Sequence, residues 1–176
     1  MKTKTLYEIA LPLADHVREY LAPFCQRIQT AGSLRRNASE VGDIEMVAIP
    51  KPRLDMFGQA FPLEVDHALN TFDYGMIGKL TANGNKMKKI QLDEGLQLDL
   101  FIVTPPAQWG VQFLIRTGSA EFSKKFVTKK QYGGYLPGHM KVEGGALYEN
   151  SVMVPTPEEE DVFKAIGLPY VEPNKR

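Results

Sequence analysis

No stretch of this sequence restricts the fold more than Ala31-Gly32-Ser33-Leu34-Arg35-Arg36-Asn37-Ala38-Ser39-Glu40-Val41-Gly42-Asp43-Ile44-Glu45. A short strand predicted at residues 27–31 ends in Gly32-Ser33, and two arginines follow at once. Glycine lets the backbone approach a ligand closely. Ser33 and the free N–H groups of a following helix suit a phosphate, and Arg36 adds charge-assisted donors to that anion. Asp43 and Glu45 then stand two apart at the opening of a second predicted strand, 44–50, which Pro50 stops. Alternation points both carboxylates to one side, the arrangement that shares a hard divalent cation.

A third acid belongs to the same picture. Residues 90–103 read as a hairpin turning at Glu94-Gly95. Its second arm places Leu96, Leu98, Leu100 and Ile102 on one face and Gln97, Asp99, Phe101 and Val103 on the other. If the two strands are neighbours, three carboxylates converge beside a phosphate cradle. Two magnesium ions about 3.5–4 Å apart would there activate a hydroxyl and stabilise a leaving pyrophosphate.

The rest of the chain supplies a scaffold of ordinary size. Apolar residues at Leu6, Ile9, Ala10, Leu13, Val17, Tyr20 and Leu21 follow the helical period, and Pro23 discourages its continuation. Pro105-Pro106 marks a boundary after the hairpin. Thr156-Pro157 followed by Glu158 to Asp161 reads as a helix opening with Thr156 as N-cap, closed by Gly167 and Pro169. The fold class is therefore α+β: a mixed sheet with helices over residues 1–107, then a smaller mixed lobe over 108–176. The 176 residues contain one cysteine, Cys25, which excludes an intrachain disulfide and a Cys-based zinc site. No apolar run approaches the roughly 20 residues of a membrane span. These points lead to the expectation of a cytoplasmic protein with no membrane role.

With the motifs set out, Gly32-Ser33-x-Arg35-Arg36-x5-Gly42-Asp43-x-Glu45 followed by Leu98-Asp99-Leu100 resembles the palm of family X DNA polymerases, the DNA polymerase beta group. Arg116-Thr117-Gly118-Ser119-x-x-Phe122-Ser123-Lys124 is similar to that family's nucleotide-binding turn and helix, and Tyr170 to Arg176 to the closing segment of its thumb. The resemblance implies a nucleotidyltransferase palm over 1–107 and a polymerase-beta-like thumb over 108–176. Only 31 residues precede Gly32, so palm and thumb alone are expected, as in the smallest viral relatives. It implies that Asp43, Glu45 and Asp99 bind two Mg2+ ions, with Mn2+ able to substitute. Gly32, Ser33, Arg36 and Gly42 would hold a nucleoside triphosphate, Thr117 and Gly118 would line the sugar side of its pocket, and Ser123 would face the base. The implied partners are a DNA primer–template or gapped duplex, bound by a monomer.

The sequence departs from the family pattern at named positions. Glu45 stands where aspartate is usual, Ile115-Arg116 replaces an aromatic pair, Ser123 replaces asparagine, and Gln97 replaces a basic residue expected two positions before Asp99. The stretch Asp43-Ile44-Glu45-Met46 is also similar to aminoglycoside nucleotidyltransferases. The alternatives are accordingly transfer to an untemplated end or a small hydroxyl compound, or a degenerate nucleic-acid-binding module.

Formal net charge is zero, with 21 basic and 21 acidic residues, which argues against DNA binding by bulk electrostatics. The average conceals a local excess. From Lys86 to Lys130 there are eight basic residues against the four acids Asp93, Glu94, Asp99 and Glu121. Of the eight, Lys86, Lys88, Lys89, Arg116, Lys124 and Lys125 are the expected contacts to DNA phosphates. His16, His67 and His139 are scattered and receive no metal role. Trp109, Phe113 and Phe122 are expected in the core.

Overall fold

A computed structural model of the chain describes residues 4–54, 60–61, 65–66, 69 and 78–176. His67 lies outside the described residues. Helix α1 (Tyr7–Leu21) is followed by strand β1 (Cys25–Thr30), a single helical turn α2 (Gly32–Arg35) and strand β2 (Ile44–Pro50). Strands β3 (Lys79–Asn83), β4 (Met87–Gln91) and β5 (Gln97–Ile102) complete a sheet ordered β1-β2-β5-β4-β3 among the described residues. The β2–β5 pair is parallel and the other three neighbouring pairs are antiparallel.

The second half begins with α3 (Trp109–Thr117) and α4 (Ala120–Val127). Strands β6 (Met140–Glu143), β7 (Ala146–Glu149) and β8 (Val152–Val154) form an antiparallel meander, and α5 (Glu159–Ile166) follows. The architecture is α+β, with a mixed sheet and helices. No helix among the described residues is long and apolar enough to cross a membrane.

Alternation along β2 and β5 sends side chains to two covered faces. One face carries Ile44, Met46, Ala48, Leu98, Leu100 and Ile102 into a core with Ala10, Ala14, Val17 and Leu21 of α1. The other carries Val47, Phe101 and Val103 into a cluster with Trp109 and Phe113 of α3. A third core gathers Val111, Leu114, Phe126, Leu147, Phe163 and Ile166 from the second half. Cys25 is buried in the first core, and burial pushes its thiol up to about 11 against the pull of Lys51, which leaves it protonated and inert.

Where the halves meet, three arginines lie over three rings. Arg27 stacks on Trp109 at 4.0 Å, Arg35 on Phe113 at 3.8 Å, and Arg116 on Phe101 at 3.9 Å. Stacking leaves the edges of a guanidinium free to donate, and two of the three meet glutamates. Arg27 donates both Nη groups to Glu158 at 2.7 Å. Arg35 donates to Glu159 at 3.1 and 2.7 Å. Arg176 and the Tyr170 hydroxyl donate to the same carboxylate.

The last helix opens later than its sequence signals indicate. Its N-cap is Glu158, in a capping box with Asp161, and not Thr156. Thr156 is buried, donates its N–H to Gln108 at 2.5 Å and accepts from the Gly110 N–H at 3.0 Å, so its polar groups are consumed in fixing the start of α3. The delay places Glu159, only 2% exposed, in the first turn facing the junction. Burial alone would raise its carboxyl, but hydrogen bonds from Arg176 and Arg35 and their charges outweigh burial and hold it below the usual carboxylate range.

A depressed acid contributes stability that is present above its unfolded pKa and lost as pH falls through the folded value. Glu159→Ala strands the buried guanidinium of Arg176 and the half-buried one of Arg35 and is expected to cost about 3–5 kcal/mol near neutral pH, read by urea unfolding. Glu159→Gln is expected to show a shallower loss of stability than the wild type below about pH 4.3, the ordinary glutamate value. Parallel acid profiles of the two proteins would contradict the assignment.

Candidate active site

Parallel pairing puts Glu45 of β2 and Asp99 of β5 directly side by side in register. Both share a face with the residues that α3 covers, Val47 and Phe101, but they stand at the beginning of their strands, beyond the apolar cover. Asp43 precedes Glu45 by two residues. The backbone thus assembles the three acids expected from the sequence at one end of the sheet, next to the turn that follows β1.

That turn is built around Gly32. Its φ is +60°, and a Cβ there would collide with Glu45 Oε2 and lie 2.8 Å from Glu45 Cδ. Only glycine satisfies both the backbone conformation and the close approach. Ala31 N–H donates to the Glu45 carbonyl at 2.8 Å and extends the contact along the backbone. Gly118 does the same from the other side: its φ is +74°, and a Cβ would fall 2.8 Å from Arg36 Nη1. Arg36 donates to the Thr117 carbonyl, and Arg35 donates to Thr117 Oγ1 at 2.5 Å. The two consecutive arginines therefore clamp the C-terminal end of α3 onto the Gly32 turn.

Electrostatics mark the carboxylates as a crowded set. Burial pushes the Glu45 carboxyl up to about 7, Asp43 and Asp99 add to the rise, and Arg36 and Arg116 oppose it. Burial lowers the Arg116 guanidinium, against Glu45 and Asp99. Asp99, 9% exposed, accepts from Lys89 Nζ at 3.1 and 3.0 Å and from Gln97 Nε2. As the side chains stand, no group of three His, Cys, Asp or Glu among the described residues is gathered as a metal site. The donor chemistry nevertheless suits a hard divalent cation. The charges of Asp43 and Asp99 that push Glu45 up would be relieved by such a cation, and carboxylate oxygens match its preference.

The remaining expected residues divide. Ser33 and Gly42 are half-buried at the turn, with open space where a Gly42 Cβ would be. Thr117 is fully buried, so its side chain is a structural tie to Arg35 and not a pocket wall. Ser123 is half-buried, and its hydroxyl donates to the Ile115 carbonyl at 2.7 Å and ties α4 to α3. Lys88 is 2% exposed and paired with Asp66 and Asn83, which removes it from the surface that DNA phosphates would reach. Lys89 is turned to Asp99 and Arg116 is stacked on Phe101. Lys86 and Lys124 are exposed, and Lys125 pairs with Glu121 at 2.9 Å within α4. Sequence reasoning missed Glu159 and the Lys89–Asp99 pair. The first was read only as one of the acids that open the last helix, and the second becomes visible once the hairpin register is known.

Residues 112–176 match the family described as DNA polymerase beta thumb. The chain is 28% identical over 159 residues to DNA polymerase lambda of Rattus norvegicus, an alignment covering 82% of this chain. It spans 28% of that relative's length. These matches support a family X polymerase-like protein, and the β-like thumb fits the α+β fold described above.

Gly32→Ala forces a strained left-handed alanine and displaces Glu45. It is expected to cost about 1–3 kcal/mol in urea unfolding. Gly42→Ala meets nothing within 4 Å and is expected to be close to neutral. Equal stability of the two variants would contradict the packing described.

Proposed function

We propose that the chain catalyses DNA-directed nucleotidyl transfer from a (deoxy)nucleoside triphosphate to a primer 3′ hydroxyl, releasing pyrophosphate, in short-gap filling or DNA repair. The observation that carries this reading is the in-register Glu45–Asp99 pair beside the Gly32 turn, in a chain whose residues 112–176 match the polymerase beta thumb. Asp43, Glu45 and Asp99 would hold two Mg2+ ions, which supply Lewis-acid activation of the hydroxyl and neutralise charge on the leaving phosphates. Gly32, Ser33, Arg36 and Gly42 would receive the triphosphate. Arg36 would exchange its bond with the Thr117 carbonyl for phosphate oxygens, which couples nucleotide binding to the end of α3. Gly118 would leave room for the sugar. The exposed Lys86 and Lys124, with Lys125, would meet strand phosphates in a monomer acting on a primer–template or gapped duplex.

Primer alone, primer–template and gapped duplex, each offered single triphosphates with magnesium or manganese, test the reading. Template-matched addition supports it. Indiscriminate addition points to an untemplated transferase, and binding without addition to a degenerate module. Asp99→Asn is expected to lower extension by at least about 10³-fold, comparable to losing a principal transition-state group, while nucleotide binding persists. Full activity of that variant would overturn the assignment. Lys124→Ala with Lys125→Ala is expected to weaken primer–template binding and flatten its salt dependence by about one to two units of slope. An unchanged slope would exclude both from phosphate contact.

A further inference from the structure

Lys88 and Lys89 are adjacent in sequence and alternate across β4, and each ammonium is held by a carboxylate, Lys88 in a buried pair and Lys89 in a half-buried one. Lys88 is buried with Asp66 and Asn83, and Lys89 faces the carboxylate end of the sheet. Antiparallel pairing sets Lys89 directly opposite Asp99. Its ammonium reaches both carboxylate oxygens, at 3.1 and 3.0 Å, while the Gln97 amide takes Oδ1 from the same strand as Asp99. The neighbouring strand is shaped around the same lysine. The β3–β4 ladder shifts register between Leu80 and Ala82, and the Thr81 hydroxyl donates to the Lys89 carbonyl at 3.1 Å. A bulge of this kind bends the bulged strand and increases its local twist.

We infer that Lys89 is a positioning residue for Asp99: the resident cation that holds the third carboxylate in place before an ion arrives, and the charge that an arriving ion must displace. The inference rests on Asp99 being a metal-binding carboxylate. Lys89 and an arriving ion compete for the same two oxygens. With both of them accepting from one ammonium, a divalent ion reaches Asp99 only by sharing or taking an oxygen from Lys89, and it is repelled by the ammonium while doing so. Gln97, a neutral amide, accepts that exchange without adding to the repulsion. Lys89 thereby assumes a structural duty next to the acid and leaves the set of DNA phosphate contacts.

The test uses the full chain, with Mn2+ as the probe, read by electron paramagnetic resonance without nucleotide or DNA. Steady-state kinetics of primer extension run in parallel. Lys89→Met keeps most of the stem and removes the charge. It is expected to tighten Mn2+ binding about tenfold and to lower kcat about tenfold with KM for primer–template unchanged. Lys89→Arg retains a cation opposite Asp99 and is expected to restore both toward wild type. Should Lys89→Met fail to fold, Lys89→Gln carries the same comparison. A raised KM and reduced salt slope with unchanged Mn2+ affinity would make Lys89 a phosphate contact and overturn the inference. Unchanged Mn2+ affinity together with unchanged kcat would overturn it as well. Wild type that binds no Mn2+ would instead remove the reading of Asp99 on which the inference stands.

Discussion

The parallel pairing of β2 with β5 decides whether this chain has a site at all. It sets Glu45 beside Asp99, and the two-residue period of a strand carries the consequence through both neighbours. A slip by one residue would turn Glu45 away from Asp99 and drive it into the core packed against α1. Ile44, Met46, Leu98 and Leu100 on that side, and Val47 and Phe101 on the other, hold the register through two separate apolar clusters. The acids stay at the strand ends because the aromatic cover from α3 stops short of them. What reaches them there is polar: the Gly32 turn, the guanidiniums of Arg36 and Arg116, and the ammonium of Lys89.

Arginines also dominate the junction of the two halves. Arg36 and Arg116 bring charge to the sheet-end carboxylates, Arg27 and Arg35 meet Glu158 and Glu159, and arginine supplies that charge while lying flat on a ring. Arg27, Arg35 and Arg116 each use a ring of the junction, and Arg35 and Arg36 also hold Thr117. Arg35 further meets Glu159, which Arg176 and Tyr170 bind from the far end of the chain. A chain of direct contacts thus runs from the turn that abuts Glu45, through the end of α3, to the first turn of α5 and the final residues. In the proposed function, Arg36 is the link at which a triphosphate would exchange places with the thumb.

Much of this was legible from the residues. Strand 44–50, the Gly32 turn, the spacing of Asp43 and Glu45 and the place of Asp99 on the face opposite Leu98 and Leu100 follow from alternation and turn chemistry, because each is a local pattern. What escaped was set by register and by long-range partners. A two-residue turn at Glu94-Gly95 would set Ile90 opposite Asp99. The observed turn spans Asp93 to Gly95, with Leu92 N–H donating to the Leu96 carbonyl at 2.8 Å, and it brings Lys89 there instead. That single residue of difference turned an expected DNA contact into a partner of the third acid. Thr156 offered good N-cap chemistry, but Gln108, 48 residues earlier, competes for its polar groups. No local pattern announces such a partner. Motif position likewise does not reveal that the Thr117 and Ser123 hydroxyls are bonded to the Arg35 guanidinium and the Ile115 carbonyl.

The central claim is that Asp43, Glu45 and Asp99 form a divalent-cation centre next to a triphosphate cradle at Gly32. Anomalous scattering from crystals soaked with Mn2+ and a non-hydrolysable nucleoside triphosphate tests it without relying on turnover. The account predicts manganese peaks within about 2.0–2.6 Å of carboxylate oxygens of Asp43 and Glu45, with one also reaching Asp99, and phosphate density against the Gly32-Ser33 turn. Manganese found only elsewhere on the protein, with triphosphate bound away from that turn, would contradict it.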